Sequence, residues 1–129
     1  MKGDRAQALV EFALVLPVLL VLALAITELS ELGVARLALA HAAAEGARTG
    51  ALTNDDRLIR SSVTAAAAPL DPRSVDVVID PPEAQRGSDP RGTLLFVRLR
   101  YAVAAPLGFA GLPALVVRGE AARVVEWTP

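Results

Sequence analysis

The sequence has no cysteine, one histidine and almost no surplus of either charge. Without cysteine, a domain in an oxidising compartment must be held by its apolar core alone, since no disulfide is available. With 13 basic against 14 acidic residues and a formal net charge of -1, nothing in the charge balance calls for nucleic acid as a partner. His41 stands on a helical segment with no cysteine and no cluster of carboxylates beside it, so it reads as a solvated or paired surface residue and no metal site is expected. The Asp55-Asp56 pair reads as helix capping, because no loop carries regularly spaced oxygen ligands for calcium. The chain also lacks nucleophile-elbow glycines in a Ser/His/Asp order, a glycine loop to cradle phosphate, and paired carboxylates in an apolar run. No catalytic residue, cofactor or metal ligand is therefore expected, and the chain reads as a non-enzyme.

What the sequence has is one long apolar run, Ala6 to Ala25 (AQALVEFALVLPVLLVLALA). No residue from Phe12 to Ile26 is charged or strongly polar, and Glu11 is the sole charged interruption of the longer span. At 1.5 Å rise per residue, roughly 20 residues cross the hydrocarbon layer, so the run predicts a single transmembrane helix. Lys2 and Arg5 precede it and Glu28 and Glu31 follow, a bias that holds the N-terminus in the cytoplasm and puts the rest of the chain outside. A second reading of the same residues is a secretory signal peptide, with its apolar region from Phe12 and a cut after Ala23-Leu24-Ala25; Glu11 and the helix-favouring continuation past Ala25 weigh against it. Pro17 lies inside the helix, where it removes one backbone hydrogen bond and favours a kink.

Glu11 is the informative residue. A carboxylate at the centre of a membrane helix costs roughly 2.5 to 3.5 kcal/mol on insertion scales, so it must be either interfacial and solvated or paired. The run from Gln7 through Glu11 and Phe12 to Pro17 (QALVEFALVLP) resembles the N-terminal signature of TadE-like proteins, the pseudopilins of tight-adherence (Flp-type) pili. The resemblance implies a leader of residues 1–6 removed by a prepilin peptidase between Ala6 and Gln7. It also implies Glu11 as the fifth residue of the mature chain, and other pilins, pseudopilins and the pilus assembly platform as partners alongside membrane lipid. Gly is usual before the cut in that family, and this chain has Ala6. On this reading Glu11 is an assembly contact that neutralises the α-amino group of a neighbouring subunit inside lipid. The alternative is a single-pass or secreted envelope protein that binds a partner without entering a filament.

Past the apolar run the predicted fold class is α+β. The long N-terminal transmembrane helix, residues 7–27, continues into an exported pilin-like domain, residues 28–129, with a second short helix and a three-stranded antiparallel sheet. Leu29, Leu32, Arg36, Leu39, Ala43 and Ala47 share one helical face, and Ala35, Ala38, Ala40, Ala42 and Ala44 thin the helix for close approach. Glu45 is spaced for surface pairing with His41 and Arg48, and Gly46 and Gly50 are expected to weaken and end this helix. A second helix is predicted from Asn54 to Ala67, started by a Thr53/Asp56 capping box and stopped by Pro69. Alternation then marks a strand through Val75, Val77 and Ile79, a polar loop from Asp80 to Gly92, and a strand from Thr93 to about Val103. Arg98 and Arg100 would oppose Asp76 and Asp80 across the pair. An apolar loop, Pro106 to Pro113, leads to a last strand from Leu115 to Trp127 with a bulge at Gly119.

Overall fold

The computed structural model describes residues 2–103 and 114–129, so the expected loop from Pro106 to Pro113 lies outside the described residues. The elements run α1 (Lys2–Thr53), α2 (Asp56–Ala66), β1 (Val75–Asp80), β2 (Leu94–Val103) and β3 (Leu115–Val124), with short 3₁₀ turns at Pro72–Ser74 and Glu83–Gln85. The sheet is antiparallel throughout, in the order β1-β2-β3. The fold class is thus α+β: a long N-terminal apolar helix, a second short helix and a three-stranded antiparallel sheet. The chain divides into two units, Met1–Glu31 and Leu32–Pro129.

In the second unit, α1 buries Ala35, Ala38, Leu39, Ala42, Ala43, Gly46, Ala47, Gly50 and Ala51. The steps of three and four put these on one face, and all but Leu39 carry at most a methyl group. The buried face therefore differs from the expected one: Leu29 and Arg36 are exposed, and so are Ala40 and Ala44. Leu39 joins Ile59 and Val63 of α2, Ile79 of β1, Leu95, Val97 and Leu99 of β2, Val117 of β3 and Val125 in a single core. Each such aliphatic side chain contributes about 1.5 to 3 kcal/mol by leaving water.

Three glycines expected to break or bend structure instead mark close approach. Gly46 and Gly50 lie inside α1, which runs on to Thr53. A Cβ at Gly46 would sit 2.6 Å from Val63 Cγ2, and one at Gly50 would sit 2.7 Å from Ile59 Cδ1 and also meet Leu95. The helix ends at Asn54, whose φ of 52° is the left-handed conformation asparagine tolerates and whose N–H donates to the Gly50 carbonyl at 3.0 Å. Gly119 makes no bulge: the β2–β3 register is unbroken from Leu94↔Val124 through Leu99↔Gly119 to Val103↔Leu115. A Cβ there would fall 2.7 Å from the backbone carbonyl of Leu39, so the residue is small because the α1 backbone rests on it.

Local hydrogen bonding moves other boundaries. Asp55, and not Thr53, caps α2, accepting from the N–H of Arg57 at 2.7 Å and Leu58 at 3.3 Å. Thr53 donates to the Thr49 carbonyl within α1, at 2.8 Å. β3 stops at Val124 rather than Trp127, because the N–H groups of Glu126 and Trp127 both donate to the Ala51 carbonyl, at 2.8 and 3.0 Å. That carbonyl is one of those a helix C-terminus leaves without a partner. Residues from Lys2 onward are already helical. Among the described residues, no ion pair joins Glu45 to His41 or Arg48.

One polar cluster locks the loop before β2 to the start of α2. The Arg86 side chain is fully buried and pairs with Asp56 Oδ1, which it meets at 2.6 Å; it also donates to the carbonyls of Pro81 at 3.0 Å and Asn54 at 3.2 Å. Asp56 and Glu83 exchange reciprocal bonds, each backbone N–H donating to the other's carboxylate at 3.0 and 3.1 Å. Outside this cluster, the Arg73 side chain hydrogen-bonds to Asp71 and holds that exposed carboxyl below its ordinary value.

Three stability measurements test this packing, all on the full chain in detergent with Trp127 fluorescence as the reporter. Gly119→Ala must displace the α1 backbone and is expected to cost about 1 to 3 kcal/mol. Gly50→Ala meets only side-chain ends and regains up to about 1 kcal/mol of helix propensity, so its net effect is expected to be the smaller of the two. Asp56→Ala leaves the buried Arg86 guanidinium without its counter-charge and is expected to cost about 3 to 5 kcal/mol, whereas a loss under 1 kcal/mol would show that the cluster is slack.

Candidate functional site

The residues singled out by sequence, Ala6, Gln7, Glu11 and Pro17, all lie on the first unit's part of α1, and all are exposed. Between Leu9 and Ile26, thirteen large apolar side chains are 39% to 70% exposed. A water-soluble surface does not carry such a density, because each exposed apolar side chain forgoes its transfer free energy. This helix is long and apolar enough to cross a membrane, and its most apolar stretch is wholly unburied within the protein. Hydroxyls at the end of the run are satisfied internally: Thr27 donates to the Ala23 carbonyl at 3.0 Å and Ser30 to the Ile26 carbonyl at 2.8 Å.

Glu11 is placed one helical turn after Gln7. The Gln7 amide donates to Glu11 Oε1 at 3.1 Å, and among the described residues this is the only hydrogen bond to the carboxylate. The i, i+4 spacing sets this pair side by side. An amide is a neutral donor, so it satisfies one lone pair and leaves the negative charge uncompensated. Pro17 sits within α1. It has no N–H to give, which leaves the Ala13 carbonyl without its helical partner for a neighbouring group to cover.

The sheet adds a second set of charged residues. The expected pairing of Arg98 and Arg100 with Asp76 and Asp80 is half realised. Asp76 is the register partner of Arg100, yet it is Arg98 that forms the ion pairs, with Asp80 at 3.2 Å and Glu120 of β3 at 3.1 Å. The hydrogen bond to Asp80, supported by Glu120, holds the Arg98 guanidinium above its ordinary value. Sequence reading passed over Arg118, which faces Arg100 directly from β3. It also passed over Arg86, which sits in a polar, proline-rich stretch that reads as a solvated loop. Alternation along Leu115 to Trp127 was the signal that could have put Arg118 on the same face as Arg98 and Arg100.

Among the described residues, no group of three or more His, Cys, Asp or Glu side chains is arranged to hold a metal ion. The site thus consists of one carboxylate with an amide beside it, at the head of an apolar stretch of α1. Such a site can bind a cation. Residues 6–48 match the family model described as TadE-like protein. No curated protein and no solved structure gives a significant match.

Proposed function

We propose that this chain, TadE-like over residues 6–48, is a membrane-anchored pseudopilin that takes part in assembling a tight-adherence (Flp-type) pilus and catalyses no reaction. The N-terminus faces the cytoplasm and residues 28–129 lie outside the inner membrane. A prepilin peptidase removes residues 1–6. Its partners are other pilins and pseudopilins and the pilus assembly platform.

The observation that carries this reading is Glu11, a carboxylate in an exposed apolar run with, among the described residues, only the Gln7 amide to satisfy it. Transfer of that charge into hydrocarbon is unfavourable unless a cation meets it. Cleavage before Gln7 creates such a cation, the new α-amino group, on every subunit. Within one helix that group lies at the chain start, and the i, i+4 position beside Glu11 is already taken by the Gln7 side chain. The amino group of an adjacent subunit then completes the pair. Its two charges are worth far more to each other in lipid than in water. The TadE-like match over residues 6–48 takes in both Gln7 and Glu11.

Two measurements test the proposal. Mass spectrometry of the protein from its own host is expected to give an N-terminus at Gln7; a start at Ile26 would establish a signal peptide in its place, and an intact Met1 would leave a plain anchored protein. Glu11→Gln keeps the size and removes the charge. It is expected to leave membrane insertion and cleavage intact while reducing assembly, or crosslinking to partner pilins, by tenfold or more, the equivalent of about 1.4 kcal/mol or above. Assembly at the wild-type level, with the variant at normal abundance, would refute the charge-pairing role.

A further inference from the structure

On the outward face of the sheet, successive rows cross all three strands. One row is Val78–Arg98–Glu120 and the next is Asp76–Arg100–Arg118. Between these rows lies a concavity of about 330 Å³. Its floor is the backbone of Leu99 and Gly119, and its walls are Arg98, Arg100, Arg118 and Glu120. The Leu99 side chain and the Cα face of Gly119 are turned to the core, so among the described residues no side chain fills the floor from the solvent side.

The three arginines are not equivalent. Arg98 is committed: Asp80 and Glu120 take its guanidinium from both sides, and it lies 5.0 Å from the centre of the Phe96 ring. Arg100 and Arg118 are exposed, and among the described residues neither forms an ion pair or a side-chain hydrogen bond. They stand directly opposite each other across β2 and β3, an arrangement of like charges that is unfavourable in a sheet. With Arg98 matched, this row retains two positive charges against the single negative charge of Asp76. An added monoanion would cancel the excess and turn the repulsion into a shared attraction. Two guanidinium forks have the planar, paired donors that a carboxylate accepts.

We propose that Arg100 and Arg118 form a carboxylate-binding site on the outer face of the sheet, a seat for an aspartate or glutamate side chain of a partner polypeptide. Two features favour a polypeptide carboxylate over a more highly charged ligand. Asp76 in the same row and Glu120 in the next oppose a dianion. The adjoining row, Ala102–Val116, is apolar and exposed, which gives the stem of an acidic residue and its neighbours a surface to cover. The site rests on the sheet alone and stands whether or not Glu11 acts as proposed.

The test uses the full chain in detergent micelles with nitrogen-15-labelled arginine, titrated with sodium acetate at constant ionic strength in sodium chloride. The Nε–H signals of Arg100 and Arg118 are expected to move together and to saturate, while that of Arg91, an exposed arginine elsewhere, drifts linearly. Arg118→Gln is expected to raise the half-saturating acetate concentration read at Arg100 about tenfold, or about 1.4 kcal/mol. Equal linear drift at all three arginines, or no change in the response of Arg100 on Arg118→Gln, would overturn the site. Saturation by inorganic phosphate at a lower concentration than by acetate would overturn its assignment to carboxylate.

Discussion

The second unit depends on how closely the α1 backbone can come to the sheet. Along one face from Ala35 to Ala51 the helix offers only methyl groups, glycine hydrogens and the single larger side chain of Leu39. Where it meets β3, the strand answers with Gly119, and backbone touches backbone. Dispersion forces fall off steeply with separation, so a surface of small side chains gains contact density in place of buried bulk. Everything else is placed by that seat. Ile59 and Val63 of α2 fill the side left open by Gly46 and Gly50, and Leu95, Val97 and Leu99 fill the floor below.

The first unit obeys a different rule. Its helix carries an unburied apolar stretch long enough to cross a membrane, for which the fitting solvent is lipid. In water a glutamate such as Glu11 would be unremarkable, and in lipid it is the costliest group on the helix. The same residue type therefore carries opposite information in the two units. Glu120 and Asp80 on the sheet are ordinary members of a hydrated ion-pair network around Arg98, of the kind that contributes at most about 1 kcal/mol.

Periodic features were legible in the sequence. The apolar run, the change from helical to alternating pattern near Val75, and the two inward faces of β1 and β2 are all properties of neighbouring residues, and they read correctly. The glycines did not. Whether Gly46, Gly50 or Gly119 breaks an element or admits a neighbour depends on what lies across from it, and Val63, Leu95 and Leu39 are distant in sequence. Arg86 failed for the same reason: between Pro81 and Pro90 it reads as a surface residue, and only the arrival of Asp56 and Glu83 makes its burial tolerable. The opposition of Arg100 and Arg118 likewise required the β2–β3 register, which alternation alone does not set.

The bonds from Glu126 and Trp127 to Ala51 impose an order of events on the chain. The last turn of α1 receives these partners from residues synthesised more than half of this sequence later. The neighbouring core position Val125 and the glycine seat on β3 arrive at the same late stage. The core of the second unit therefore cannot close until the chain through Trp127 is available, so the early-made face of α1 waits, uncovered, for the segment that completes it.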